Sequence, residues 1–122
     1  MKLLRAIGYG ALGWVLIFFE VSALMFLLKL QPGLAYYAIH YAAAAAIAAF
    51  CAWFYFDSEK TKGGIGEGIL AGIAFVLTGA ALDAAITVPF FVKSYAFFND
   101  AYLWIGFAET IIVSAIVGKI NE

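Results

Sequence analysis

Residues 6–28 read AIGYGALGWVLIFFEVSALMFLL, an apolar run in which Glu20 is the one charged residue. As a helix rising ~1.5 Å per residue it crosses a ~30 Å hydrocarbon layer with a little to spare. It is too long for a barrel strand and shows no alternation of polar and apolar positions. It stops at Lys29-Leu30-Gln31-Pro32-Gly33, where Pro32 and Gly33 break a helix. Lys2 and Arg5, the apolar stretch and the small pair Val21-x-Ala23 also have the outline of a cleavable leader. Glu20 just before that cut, and a run that continues to Leu28, favour a retained span.

Three similar runs follow, at about 34–56, 66–92 and 101–120. Residues 42–46 are all alanine, good helix formers with little strand preference. Pro89 is expected to kink or end the third helix near its last turn, and Asp100 to cap the fourth through the free N–H groups of its first turn. The loop from Asp57 to Gly64 is the one markedly hydrophilic break. Of 122 residues, 66% are hydrophobic and 12% charged, where a soluble domain is about half apolar and a quarter charged. The expected fold is therefore all-α: one integral membrane domain over 1–122, an up-down bundle of four helices with almost nothing outside the lipid.

The formal net charge of −1 gives no electrostatic case for nucleic acid. The single cysteine, Cys51, excludes an internal disulfide and a cysteine-built metal site, and reads as a small packing residue. Lys2, Arg5, Lys60, Lys62 and Lys119 fall on one side of the membrane and only Lys29 and Lys93 on the other. The excess of positive charge puts both termini in the cytoplasm of a cell (inner) membrane protein. That modest bias leaves insertion in both directions open. Tyr36, Tyr37, Tyr41, Tyr95, Tyr102 and Trp104 then form an aromatic belt near the opposite face.

Small residues mark the seams along which helices approach in lipid. They recur as Gly106, Thr110, Ser114 and Gly118 in the fourth run, Gly68, Gly72 and Gly79 in the third, and Ala6, Gly10 and Gly13 in the first. Gly63-Gly64-x-Gly66-x-Gly68 looks like a phosphate cradle but follows no strand and lacks the lysine of a nucleotide loop, so it reads as a turn.

Away from the ends of the runs lie four charged or chargeable residues, one in each: Glu20, His40, Asp83 and Glu109. A charge in hydrocarbon costs a few kcal/mol or more, so such residues face the bundle interior and are functional candidates. Counted from the outer ends, all four fall in one slab roughly 9–14 Å deep. No lysine or arginine accompanies them and His40 offsets one charge at most, so at least one carboxyl is expected to hold a proton at neutral pH. Such a layer can exchange protons for a cation, with nearby rings to hold an organic one. That makes a proton- or cation-coupled transporter the leading expectation, with the four residues as substrate or proton sites. The competing one is an accessory or scaffold subunit whose protonated carboxyls bond to His40, Ser22, Thr78 or Thr110. A divalent metal is a weaker reading because the paired Glu-x-x-His signature is missing. No nucleophile motif or cofactor signature points to an enzyme. Partners are the bilayer and a second copy or larger membrane complex.

Four spans with a glutamate in the first resemble the small multidrug resistance transporters, in which that glutamate exchanges protons for cationic drugs across an antiparallel dimer. The resemblance implies that role for Glu20. Asp83, Glu109 and His40 depart from that family. Gly8-Tyr9-Gly10…Trp14, Leu82-Asp83, Tyr102-Leu103 and Ile105-Gly106 are also similar to a family of small four-span bacterial membrane proteins with no assigned function. That likeness implies no activity; it implies that Asp83 belongs to a recurring pattern.

Overall fold

The computed structural model describes residues 2–31, 33–57 and 63–122, the side chain of Phe97 apart. Pro32 as a helix breaker, and Ser58 to Lys62 with the basic pair Lys60 and Lys62, lie outside the described residues. Helix α1, Leu3–Ser22, runs on as a wide π turn over Ala23–Leu27. Helix α2 is Leu34–Phe56. Helix α3, Ile65–Leu82, continues as a π-helical segment over Asp83–Val92. A 3₁₀ turn, Tyr95–Asn99, leads to α4, Ala101–Ile120. All four spans are long and apolar enough to cross a bilayer, and no strand occurs among the described residues. The outward surface is apolar too: Leu34 is 90% exposed, Leu4 86% and Leu27 81%. Only lipid makes such a surface stable, since soluble proteins rarely expose large contiguous apolar patches.

The helices alternate in direction but do not follow one another around the bundle. α1 packs on α2 and α3, α4 packs on the same two, and α2 lies diagonally across from α3. The N-terminal parts of α1 and α3 and the C-terminal parts of α2 and α4 meet at the end holding both chain termini. There Arg5 donates to the carbonyls of Phe54, Tyr55 and Asp57, the Tyr55 bond measuring 2.9 Å. These are the orphan acceptors of the last turn of α2, and a cation suits that end of a helix dipole. The Lys2 backbone N–H donates to the Tyr55 hydroxyl at 3.0 Å. A core of Ala6, Ala52, Tyr55, Phe56, Ala71 and Phe75 fills this half of the bundle.

Gly10, Gly68, Gly72 and Gly118 mark seams as expected, whereas Gly79 and Gly106 do not: no neighbouring helix backbone comes within 4 Å of a notional methyl on either. A methyl group on Gly68 would lie 2.3 Å from the Ser114 carbonyl oxygen, and one on Gly118 2.4 Å from that of Gly64. The backbones touch directly: the Gly64 N–H donates to the Gly118 carbonyl at 2.8 Å. Between α1 and α3, Gly10 stands 3.1 Å, as a notional methyl, from the Phe75 Cα. Between α1 and α2, Gly13 receives the Cys51 sulfur, which is buried.

Asp100 caps α4 as expected, its Oδ1 accepting from the Tyr102 N–H at 3.0 Å. Pro89 does not end its helix: the chain widens into π turns from Asp83 and stays helical to Val92. Widening makes room for the proline ring, which in an α-helix collides with the carbonyl four residues back. The helix closes at Lys93, left-handed at φ 62°, whose N–H bonds to the Val88 carbonyl five residues earlier. The π segment packs on the Tyr95–Asn99 turn and its backbone stands largely clear of those of α1 and α4, so the bundle loosens at the end away from the termini.

Candidate functional site

A partly open cavity of about 640 Å³, walled by all four helices, extends through that looser half; its size is within the roughly 300–1,000 Å³ of ligand pockets. Small residues leave the room. Gly79 has nothing within 4 Å of where a methyl would stand, and Gly106 faces only the Tyr41 ring at 3.8 Å. The wall is aromatic, with Trp14, Phe18, Tyr36, Tyr37, Phe75 and Phe107 among its rings. Its ionisable groups, besides tyrosines and Cys51, are His40, Asp83 and Asp100; no lysine or arginine lines it among the described residues.

Asp83 stands where α3 widens. Trp14 Nε1–H reaches across from α1 and donates to Asp83 Oδ1 at 2.8 Å. Thr87, one turn along the same segment, donates its hydroxyl to the same oxygen, also at 2.8 Å. Two donors therefore fix the carboxyl through Oδ1, while Oδ2 has no donor among the described residues. The result is an oriented acid group with one oxygen unclaimed, in the wall of an apolar cavity.

Glu20 and His40 form a second centre. His40 Nδ1 lies 2.8 Å from Glu20 Oε2, joining α1 to α2. Tyr36 stacks on the imidazole, ring centroids 6.0 Å apart and 23° from parallel. Glu109 comes from α4 and makes no hydrogen bond to His40 among the described residues. Oε1 of Glu20 and Oε1 of Glu109 are both buried with no partner among the described residues. The one imidazole pairs with Glu20 and can neutralise a single carboxylate.

The single layer expected from depth resolves into these two centres. Trp14, the partner of Asp83, and Glu20, the partner of His40, are six positions apart on α1, about 9 Å along its axis. Counting residues from the helix ends overlooks the π turns, which alter rise and phase near Asp83. The hydroxyls are also redistributed: Thr78 and Thr110 bond to the carbonyls of Ala74 and Gly106 in their own helices, and Thr87 is the one that serves a carboxyl. Sequence reasoning missed Trp14 and Thr87. The Asp83-x-x-x-Thr87 spacing was a usable signal, since residues four apart share a helix face; nothing local in the sequence announces Trp14.

Towards the loosened end the cavity is lined by tyrosines. Tyr37 stacks on Tyr102 at 3.9 Å and 11°, and Tyr41 donates its hydroxyl to the Tyr102 carbonyl at 2.8 Å. Among the described residues no three His, Cys, Asp or Glu side chains gather in a way that could hold a metal ion. No family model matches the chain, and neither a curated protein nor a solved structure is similar to it.

Proposed function

We propose that the chain is a small proton- or cation-coupled carrier, with Asp83 as the group that alternates between proton and cation. The observation that carries this is the oriented carboxyl with an unclaimed Oδ2, in a cavity wall that offers no lysine or arginine among the described residues. A proton and a cation compete for that oxygen, so occupancy by one displaces the other. Trp14 and Thr87 hold Oδ1 throughout and keep the group aimed. The Glu20–His40 pair and Glu109 form a second proton-holding centre nearer the loosened end. On the positive-inside reading both termini are cytoplasmic, so the cavity lies toward the outer face of the cell (inner) membrane. Four helices are few to enclose a path between two faces, which favours self-association or a larger complex.

The test is transport by purified protein in proteoliposomes, with a pH-sensitive dye inside and a panel of inorganic and organic cations outside. Cation entry coupled to proton efflux, lost in Asp83→Asn and reduced in Glu20→Gln while both variants stay folded, is the expected result. A panel that moves no protons, or movement unchanged in Asp83→Asn, removes the reading.

One observation favours an accessory or scaffold role instead. The Asp83–Trp14 and Glu20–His40 bonds each tie two helices, which is what assembly alone requires. A scaffold tolerates Asp83→Asn and Glu20→Gln, since both amides still accept these hydrogen bonds.

A further inference from the structure

We infer that the cavity takes a single-chain amphiphile ending in a primary ammonium group, admitted sideways from the bilayer between α1 and the π segment of α3. This deepens the carrier reading and rests on it for Asp83 as the binding group.

The route comes from where the wall is thin. Met25, Phe26 and Phe91 line the cavity and are also exposed on the outside, Phe26 by 74% and Phe91 by 62%. The backbone of the π segment stands largely clear of α1. At that level the gap is spanned by side chains, Phe18 against Phe91 with ring centroids 5.3 Å apart. Two rings meeting edge to face part by rotamer changes, on a ps–ns to μs scale, without unpacking a helix seam. In lipid the outer faces of these rings contact acyl chains, so whatever passes between them is already dissolved in the membrane. The tyrosine stack of Tyr37 and Tyr102 lies across the alternative way in, past the α2 and α4 N-termini.

The ligand's chemistry comes from the wall. Rings and aliphatic side chains match a long apolar body. Among the described residues Asp83 Oδ2 has no donor, and the wall has no lysine or arginine to supply one. An ammonium group supplies both the missing N–H and the missing positive charge. A neutral alcohol supplies only the hydrogen bond and a quaternary ammonium only the charge, whereas a carboxylate or sulfate head is repelled.

The experiment is equilibrium binding of radiolabelled dodecylamine to the full chain in lipid nanodiscs, with empty nanodiscs as the partition background. Saturable binding is expected. Dodecanol, dodecyltrimethylammonium and dodecanoate should each compete about tenfold or more less well, and butylamine, which has no tail, should fail to compete. These comparisons use the unaltered chain, so they stand even if a variant fails to fold. In folded Asp83→Asn, dodecylamine affinity should fall to that of dodecanol. Equal competition by dodecanol or the quaternary amine, or full binding by Asp83→Asn, overturns the ammonium assignment; equal competition by butylamine overturns entry from the bilayer. Dodecylamine binding without any transport would remove the carrier reading and leave this one. Asp83-dependent transport of another cation, with no dodecylamine binding, would do the reverse.

Discussion

At the scale of single residues, the two hydrogen bonds on Asp83 Oδ1 separate two properties usually lost together. Thr87→Val and Trp14→Phe each remove one donor and leave the carboxyl in place. A hydrogen bond to a charged group is worth about 1.5–3 kcal/mol, and polar contacts between membrane helices average nearer 0.6. Each variant is therefore expected to lose about 1 kcal/mol of stability in thermal unfolding, and to bind cations more weakly because the acid is no longer aimed. The Glu20–His40 pair gives a second residue-level prediction. In a double-mutant cycle with Glu20→Gln and His40→Asn, the coupling energy should be about 1–2 kcal/mol; a value near zero means that the bond is not formed. Glu20, His40, Asp83 and Glu109 were legible as candidates, because an ionisable residue within an apolar run stands out wherever it lies. Their grouping was not. Who bonds to whom depends on helix phase and reach between segments far apart in sequence, and one sequence records neither.

At the scale of elements, the glycines divide by what they face. Gly68 and Gly118 sit where a methyl would strike a carbonyl oxygen at 2.3 and 2.4 Å, on backbones that cannot give way. Gly68→Leu or Gly118→Leu should force α3 and α4 apart, costing about 3 kcal/mol or more, read as a lower unfolding temperature or failure to fold. Gly8 has nothing within 4 Å, so Gly8→Ala should be neutral or stabilise by up to about 1 kcal/mol through lower backbone entropy in the unfolded chain. If the two classes lose stability equally, the seam assignment is wrong. The helices were legible to within a few residues, since uninterrupted apolar runs bounded by Pro, Gly and charge have little else to become. The π segment was not legible. Pro89 signals a disturbed helix, but whether it kinks, stops or widens depends on what the neighbouring helices leave room for, and here they leave a cavity.

At the scale of the whole molecule, one end is closed by touching backbones and the Arg5 clamp, and the other is loosened by π turns around an aromatic cavity. That polarity suits a carrier that admits a ligand at one level and holds a firm seal at the other. It also permits a direct test of orientation. On a Cys51→Ala background, Lys119→Cys should react with an impermeant maleimide only after the cytoplasmic side is exposed, and Lys93→Cys from the outside. The reverse pattern, or labelling of both from both sides, would contradict a fixed cytoplasmic placement of the termini. The most direct measurement of proton–cation exchange at Asp83 is proton release when an organic cation is added to the purified protein in unbuffered detergent solution. Release at saturation approaching one proton per cation bound is expected, and none from folded Asp83→Asn. Cation binding with no proton released, or the same release from Asp83→Asn, would contradict it.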